Sequence, residues 1–596
     1  MSKKAHGQVR RSQVVTTYGP GALIDLPHHS AIVGGLDTWP SLGKLQQILE
    51  PRLTRKLQQL TDVPSPKLYL PPPDESEPGE TAPGIGIWRF PEWFLVQEAD
   101  AGEKNNLSRR LVPRSALDKG RFDGREVVAI RFVRACTKGH VDDLDFRFFV
   151  HGKDKSCTRQ LWLDEKGTSG DLGDLVVRCE CGDKKSLGAA MDWENFALGT
   201  CSGRRPWLGR VPNQKCDLPS RLLTRTASNA YFPQVVSVMS LPDRGSAVQK
   251  VVAGLWDDFQ IVTNAVELAM IKRKSKITDA LVGIPDEEVL KAIELYRSGA
   301  VEDRPVKWVE LDAILAAPEG YGEDTPIDPD FHARRLPDRA WRHTDASEGI
   351  QAIYQLHRLR EVTALMGFTR FESISPDING EYETDVESAE IAIEPSWFPA
   401  VENRGEGLFI QLKSDAIAAW LKKEAVIQRA RSLELGHLKW ATRRKSKRNF
   451  PGAPYVLLHS LSHLLVQSLA MECGYPASSI RERIYSDPKD NRFGILLYTG
   501  SPDADGTLGG LVQQGRRFED HLSHASRLGR LCSNDPICAH HVSGESMEGR
   551  WLHGASCHGC SLIAETSCEM RNDYLDRALV VPVIGCEGAA FFTIEA

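Results

Sequence analysis

The placement of thirteen cysteines constrains this chain more than any other feature of its sequence. Six lie between Cys136 and Cys216, six lie between Cys532 and Cys586, and Cys473 stands alone between the two groups. The number is odd, and over 596 residues the cysteines are too sparse for a disulfide scaffold. The sequence shows no secretory signal, so two groups with short internal spacings predict reduced thiols that bind metal in a cytoplasmic protein.

A chain of this length is expected to form more than one domain. Its 596 residues exceed the roughly 250 to 300 that a single hydrophobic core organises. Hydrophobic residues make up 41% of the chain and charged residues 26%, which excludes wholesale disorder. No apolar run approaches the ~20 residues that span a bilayer, so no membrane segment is expected. We predict a multi-domain α+β protein, with mixed sheet and helical segments and two zinc-ribbon-like cysteine modules.

Composition and hydrophobic periodicity divide the chain into six segments. In the first half we predict a β-rich segment with a Gly-Pro-Gly turn over 1–70, an acidic proline-rich linker over 71–86, and the first cysteine module over 87–215. In the second half we predict a mainly helical region over 216–371, an acidic stretch and then a basic helix over 372–450, and a carboxy-terminal domain with the second cysteine module over 451–596.

Two shorter runs in the first half have the branched and aromatic composition of strands. One is Val14 and Val15, which precede the turn Gly19-Pro20-Gly21. The other is residues 146–150, which contain three phenylalanines and a valine. The sequence predicts a strand at each place.

The carboxy-terminal cysteines have the spacing of a zinc site. Cys532 and Cys538 are followed, after eighteen residues, by the pair Cys557 and Cys560. A Cys-x-x-Cys turn brings two thiolates to one tetrahedral ion, and a distant second pair can close the site. We predict these four as ligands, with Cys568 as a substitute for one of the first two. A redox Cys-x-x-Cys is the main competing interpretation.

The amino-terminal cysteines predict a second zinc site, with a looser assignment. The motifs Cys-x-x-Gly-His and Cys-x-Cys-Gly are typical of the two turns of a zinc ribbon. The preferred ligands are Cys136, Cys179, Cys181 and Cys201, and the alternates are His140 and Cys157. Buried free cysteines that only pack remain the alternative.

Two histidines suggest a different chemistry. His459 and His463 lie four residues apart in an apolar helical pattern, as in metalloproteases, but Ser460 stands where the general-base glutamate would be. Because the helix is apolar nearly all round, core or interface histidines are favoured over metal ligands. The histidine and aspartate residues near 459–541 support an alternative function as a metal-dependent nuclease or hydrolase. No GxxxxGK[ST] motif occurs in the chain, so intrinsic ATP hydrolysis is not expected.

One segment is strongly basic although the chain has a net charge of −6. Residues 422–448 contain ten basic and two acidic residues, a net charge of +8. Such a segment can bind phosphates, and an aromatic ring within it can stack on a base. The predicted nucleic-acid contacts are Trp440, Arg443, Arg444, Lys445, Lys447 and Arg448. Residues 104–138 form a second candidate, and a solvated helix face is the alternative for the first.

Four motifs together resemble the DrmB family of the bacterial DISARM anti-phage defence system. They are Arg11-Ser12-Gln13 with Tyr18-Gly19-Pro20-Gly21, Cys136-x2-Gly139-His140 with Asp142-Asp143, Cys201-x-Gly203-x-Arg205-Pro206-Trp207, and Cys557-His558-Gly559-Cys560 with Cys568 and Asp576-Arg577. The last ~150 residues also resemble a cysteine-bearing domain that accompanies several bacterial helicases.

The resemblance implies a non-catalytic subunit that pairs with a DrmA-like helicase and helps it to engage DNA. It also implies that the terminal cysteines bind Zn²⁺. Besides the metal-dependent enzyme, a second alternative is a zinc-containing regulator that binds DNA on its own.

Overall fold

The helices and strands of the computed structural model confirm a multi-domain α+β protein. The structure describes residues 9–593 except 27–28, 74–83, 98–105, 153–155, 167–169, 242–247, 249–250, 253, 299–304, 322–328, 375, 378, 381, 383–387, 445, 500–509 and 546–549. Most of the predicted linker, together with Lys104 and Lys445, lies outside these residues.

The α-helices of the described residues are Arg11–Thr16, Pro51–Leu60, Phe146–His151, Trp256–Phe259, Ala265–Ile271, Ser275–Ala280, Asp286–Ser298, Val306–Leu315, Ser414–Trp420, Glu424–Arg444, Ala453–Cys473, Gly510–Gln513 and Phe518–Arg530. The strands are β1 (Leu23–Leu26), β2 (His29–Val33), β3 (Gln47–Ile48), β4 (Lys67–Tyr69), β5 (Ile87–Arg89), β6 (Trp93–Val96), β7 (Asn106–Pro113), β8 (Val127–Ala129), β9 (Phe132–Ala135), β10 (Val141–Asp143), β11 (Leu161–Lys166), β12 (Leu175–Cys179), β13 (Lys184–Ser186), β14 (Arg221–Thr224), β15 (Phe232–Met239), β16 (Phe331–Arg335), β17 (Ile350–Thr369), β18 (Trp397–Leu412), β19 (Ile480–Asp487) and β20 (Arg492–Thr499).

The chain divides into two compact units, each assembled from separate stretches of sequence. The first unit comprises 1–238, 362–375 and 384–403, and the second comprises 239–361, 376–383 and 404–596. Two of the boundaries fall inside long strands, β17 and β18.

Antiparallel sheets build the first unit. One has six strands in the order β13-β12-β11-β7-β6-β8, and two others have three strands each, in the orders β1-β2-β5 and β10-β9-β14. Side chains that alternate along β11 and β12 bury Leu161, Leu163, Leu175 and Val177 in one core. The turns at the ends of β9 and β12 carry three of the six amino-terminal cysteines, namely Cys136, Cys179 and Cys181.

A long apolar helix, Ala453–Cys473, forms the centre of the second unit. It has Pro454 in its first turn and ends at Gly474, whose φ is +70°. It packs on β19, β20 and the helix Phe518–Arg530. By length and composition this helix could cross a membrane, but 72% of its most apolar window is buried inside the protein. A helix that is apolar nearly all round is typical of a buried core position.

Two predicted strands are helices in the structure. Residues Arg11–Thr16 form a short helix that buries Val14 and Val15. Phe146–His151 is also helical, because Asp145 accepts a hydrogen bond from the backbone N–H of Phe148 (2.9 Å) and caps the helix. In both cases burial on a helical face outweighs the β propensity of the side chains.

The turn Gly19-Pro20-Gly21 forms as predicted. Gly21 has φ +84°, which favours glycine, and a Cβ there would lie 2.2 Å from the ring of Phe368. The basic helix predicted within residues 372–450 and the helical pattern around His459 and His463 are confirmed as Glu424–Arg444 and Ala453–Cys473.

We predict that Gly436→Ala destabilises the second unit. A Cβ at Gly436 would lie 2.1 Å from the carbonyl oxygen of Trp551. The helix Glu424–Arg444 could then no longer lie so close to residues 531–593, which we call the carboxy-terminal loop. Overpacking of this kind costs about 1–3 kcal/mol, which exceeds the gain in helix propensity of about 1 kcal/mol. Thermal unfolding should show a lower Tm. Gly544→Ala is the control, because its Cβ would lie 3.7 Å from Leu435, and an equal Tm for both variants would contradict the prediction.

Candidate metal centres

Twelve of the thirteen cysteines lie in the two sequence groups, and the structure gathers eleven of those twelve into compact ligand sets. Among the described residues, four groups each bring four possible ligand atoms within 4.8 Å of one another. They are Cys136, His140, Cys201 and Cys216; His151, Cys157, Cys179 and Cys181; Cys532, Cys538, Cys557 and Cys560; and His459, His463, Glu482 and Cys568.

The first group lies at the turn between β9 and β10. His140 Nδ1 lies 3.4 Å from Cys136 Sγ and 3.6 Å from Cys201 Sγ. Its other nitrogen, Nε2, lies 2.7 Å from the side-chain oxygen of Gln214, so Nε2 carries the proton and donates it. The lone pair of Nδ1 therefore faces the thiols, as in a metal-ligating histidine oriented by an outer hydrogen bond.

A polar cavity adjoins this group. It has a volume of about 420 Å³, and His140, Gln214, Lys138, Arg205 and Lys215 are among the residues that line it. The pKa of Cys201 is lowered to about 4, chiefly by the hydrogen bond from the Cys136 thiol. Cys201 is accordingly poised to be a thiolate, which is the metal-binding form.

The second group lies at the turn between β12 and β13. Cys157 Sγ and Cys179 Sγ are 3.5 Å apart. His151 Nδ1 lies 2.8 Å from a carboxylate oxygen of Asp183, whereas its buried Nε2 has no hydrogen-bond partner among the described residues. A metal ion would satisfy that orphaned nitrogen, with Asp183 orienting the ring.

The same backbone turn presents both groups. In each turn the backbone N–H of the first cysteine donates to the carbonyl oxygen four residues later. The distance is 3.1 Å from Cys136 to His140 and 2.8 Å from Cys179 to Asp183. The glycine three residues after that cysteine donates back to its carbonyl at 3.0 Å, and has φ +86° at Gly139 and +109° at Gly182. We call these two turns, residues 136–140 and 179–183, the first and second knuckle. Each knuckle presents part of one ligand group.

The grouping of the amino-terminal ligands differs from the one expected. The sequence placed Cys136, Cys179, Cys181 and Cys201 in a single site, but Cys136 and Cys201 lie in the first group and Cys179 and Cys181 in the second. The reason is that each knuckle ends a different sheet. The alternates His140 and Cys157 complete one group each. The sequence analysis did not single out His151 or Cys216, although His151 lies six residues before Cys157, the same spacing as between Cys532 and Cys538.

The four carboxy-terminal cysteines assemble as expected. Their Sγ atoms are 3.3 Å apart for Cys532 and Cys557, 3.8 Å for Cys538 and Cys560, and 3.7 Å for Cys557 and Cys560. A tetrahedron with Zn–S bonds of about 2.3 Å has edges of roughly 3.8 Å, so this set fits one zinc ion. All thirteen cysteines are free thiols.

Hydrogen-bond donors surround these thiols, and one of them, Cys560, is favoured as a thiolate. The pKa of Cys560 is lowered to about 5, first by the hydrogen bond from the Cys538 thiol and then by that from the Ser561 hydroxyl (3.2 Å). The charge of Arg577 acts in the same direction. Asn534 donates from its backbone to Cys532 at 3.4 Å and from its side chain to Cys557 at 3.3 Å. Cys568, the predicted substitute, lies in the fourth group.

The basic segment lies on the helix Glu424–Arg444 and the residues that follow it. Arg443, Arg444 and Lys447 are exposed, and Arg448 is half-buried. The guanidinium of Arg443 lies 5.2 Å from the ring centre of Trp551. Trp440 is half-buried and packs on the core, with its ring centre 5.7 Å from that of His437.

The cations of the second basic run are largely paired. Arg109 and Arg131 lie 2.9 and 3.6 Å from Glu165, Arg134 lies 3.3 Å from Asp142, and Arg114 lies 3.2 Å from Glu92. These ion pairs neutralise much of the positive charge of the second run in place.

Comparisons with known proteins place these groups in context. Residues 10–232 match a domain of unknown function, DUF8724, and residues 461–561 match the MrfA Zn-binding domain. The four-cysteine group lies wholly inside the second match. A crystal structure of the DUF1998 helicase MrfA bound to DNA is 12% identical, with a TM-score of 0.19 over 41% of this chain and 25% of that one, a likeness too low to indicate a shared fold.

The second unit therefore contains a domain of the MrfA zinc-binding class. The DISARM protein DrmB of Bacillus paralicheniformis is 33% identical over 488 residues, which cover 78% of this chain and 83% of that protein. The chain belongs to the DrmB family.

We predict that Arg370 holds the first knuckle in place. Its buried guanidinium donates to the carbonyls of Gly139 (2.9 Å), Gly21 (2.7 Å) and Ala230. Arg370→Met would leave three buried carbonyls without a donor, at a cost of about 3 kcal/mol or more in the free energy of unfolding. Urea denaturation of the full chain checks this value.

Arg147→Met is the matched control. Arg147 also donates to three carbonyls, those of Cys157, Thr158 and Arg159, but it is only half-buried, and water can replace it at the two exposed bonds, those to Thr158 and Arg159. Its loss should cost less than about 1 kcal/mol. Equal losses for the two variants would refute the role assigned to Arg370.

Proposed function

We propose that this protein is a non-catalytic, zinc-containing subunit of a cytoplasmic DISARM-type anti-phage complex. It associates with a DrmA-like helicase and helps that helicase to hold DNA. One observation carries the proposal: in a chain of the DrmB family, four thiols lie at zinc-binding distances inside the match to the MrfA Zn-binding domain. The helicase partner supplies ATP hydrolysis, because this sequence has no phosphate-binding GxxxxGK[ST] loop.

Zinc in the cysteine groups has a structural role in this proposal. The carboxy-terminal group offers four protein ligands to a tetrahedral ion and leaves no position for water or substrate. The two amino-terminal groups each offer three thiols and one imidazole, which is also a complete tetrahedral set. Binding of zinc to such sites contributes folding free energy directly.

We predict that Cys557→Ser with Cys560→Ser releases one zinc ion per chain. Loss of the ion should make the segment after residue 530 sensitive to protease, because few backbone hydrogen bonds of regular elements hold it. Metal analysis of the full chain gives the zinc count, and limited proteolysis followed by mass spectrometry gives the cleavage sites.

The control for this measurement is Cys473→Ser. Cys473 is half-buried and belongs to none of the four groups, so its replacement should leave the zinc count and the cleavage pattern unchanged. Native protein that contains no zinc at the four-cysteine group would overturn the structural role.

The basic segment supports a contact with DNA. Three exposed cations at Arg443, Arg444 and Lys447 lie close together in sequence at the end of one helix, on a chain whose overall charge is negative. Phosphate binding depends on such local patches, because each neutralised phosphate releases counterions. Lys445 and Arg448 extend the patch in sequence, and Trp440 anchors the helix below it.

We predict that Arg443→Gln, Arg444→Gln and Lys447→Gln together weaken DNA binding by the helicase complex equally for all sequences. On duplex DNA, the slope of log affinity against log salt should flatten by up to about 0.9 for each phosphate that the variant no longer neutralises. Fluorescence anisotropy across a salt series measures both the affinity and the slope.

A matched variant removes the same charge elsewhere. The control is a triple variant with Arg273→Gln, Lys274→Gln and Lys276→Gln. It removes three exposed cations that are distant in sequence from residues 443–447, so the slope of log affinity against log salt should stay unchanged. If the two triple variants behave alike, residues 443–447 are only a solvated helix face.

A further inference from the structure

The fourth ligand group lies in the core of the second unit, away from the cysteine knuckles. His459 and His463 come from the long apolar helix, Glu482 from β19, and Cys568 from the loop after the Cys-x-x-Cys pair. The side chains of both histidines and of Glu482 are 0% exposed, and Cys568 is 6% exposed. Four groups that can ionise thus meet at one point without access to water.

The ligand atoms converge closely. Nε2 of His459 lies 2.9 Å from Oε1 of Glu482 and 3.0 Å from Sγ of Cys568. Nε2 of His463 lies 3.3 Å from the same carboxylate oxygen. The two histidines are four residues apart on one face of the helix, and their ring centres are 4.6 Å apart.

The hydrogen-bond partner of Nδ1 indicates which ring nitrogen of His463 is free to bind a metal ion. Nδ1 of His463 lies 2.7 Å from the backbone carbonyl oxygen of Ser561, which can only accept, so Nδ1 carries the proton. In the neutral ring Nε2 then has a lone pair, and this lone pair points at a carboxylate oxygen. Two acceptors facing each other in a dry core are unfavourable unless a proton or a cation lies between them.

Charge balance is satisfied by a divalent cation at this point. A Zn²⁺ ion with a Glu482 carboxylate, a Cys568 thiolate and two neutral imidazoles has a net charge of zero. Burial of an uncompensated charge is costly, whereas a neutral metal cluster avoids that cost.

Outer hydrogen bonds hold three of the four ligands, His463, Glu482 and Cys568, in position. The backbone N–H of Glu569 donates to Oε1 of Glu482 at 3.3 Å, and the Ser462 hydroxyl donates to Oε2. The backbone N–H of Asn572 donates to Cys568 Sγ at 3.1 Å. Outer partners of this kind orient metal ligands in proteins.

We propose that His459, His463, Glu482 and Cys568 form an additional zinc site, with two nitrogen ligands, one oxygen and one sulfur. The site joins the core helix, the strand β19 and the carboxy-terminal loop. It is structural, because four protein ligands complete the tetrahedron and no side of the ion faces solvent. This burial also argues against the use of the two histidines in a metal-dependent nuclease.

Zinc content of variants of the full chain tests the site. Cys568→Ala should lower the count by one zinc per chain, and so should Glu482→Gln, which keeps the shape of the side chain but weakens it as a ligand. Cys568→Ala combined with Cys557→Ser and Cys560→Ser should lower the count by two, because the sites are separate. Cys473→Ala should leave the count unchanged.

A measurement on the wild-type protein does not depend on whether the variants fold. Anomalous diffraction at the zinc absorption edge should give a peak between the four ligand atoms. A folded Cys568→Ala variant with the wild-type zinc count, or a wild-type anomalous map with no peak at this point, would overturn the site. A missing peak at the four-cysteine group would instead overturn the zinc of the proposed function and leave this site standing.

Discussion

The carboxy-terminal loop depends on side chains to hold it together. Among the described residues from 531 to 593 there is no α-helix and no strand longer than an isolated bridge, between His553 and Leu575. A chain that lacks helix and sheet ladders must satisfy its buried backbone groups and hold its shape in other ways. The convergence of four thiols from Cys532, Cys538, Cys557 and Cys560 supplies one such constraint, and the rest of the loop is arranged around it.

Two buried ionic residues supply the other constraints. Arg577 donates to the carbonyl of Gly529 (2.7 Å) and to Asp535 (2.5 Å), so it joins the end of the preceding helix to the first cysteine turn. Asp576 accepts from Arg429 (2.9 Å) and from the backbone N–H of Ala555 (3.0 Å), so it fixes the loop to the basic helix. Hydrogen bonds of this charged kind are among the stronger ones in proteins. The helix that presents the cationic patch is therefore attached to the cysteine-bearing loop.

In the first unit, backbone turns hold the ligand-bearing segments in position. Each amino-terminal knuckle uses a positive-φ glycine to fold the chain back on itself, and each lies at the end of a sheet strand that fixes its position. The guanidinium of Arg370 donates hydrogen bonds to the carbonyls of Gly139 and Gly21, so it connects the first knuckle to the turn at Gly21. A complete set of three thiols and one imidazole results at both knuckles, from residues up to 80 positions apart, as with Cys136 and Cys216.

The sequence by itself determined the α+β class, the two cysteine groups, the four-cysteine set, the long helices and the family, because short spacings and hydrophobic periodicity are local properties. It assigned strands to the run at Val14 and Val15 and to residues 146–150, where burial overrode local preference. Only the tertiary structure showed that Cys136 and Cys179 belong to different ligand groups. It also added His151 and Cys216 to those groups. It placed Cys568 with His459, His463 and Glu482. These ligands come from distant elements, and their meeting depends on how sheets and helices pack, which no spacing along the chain records.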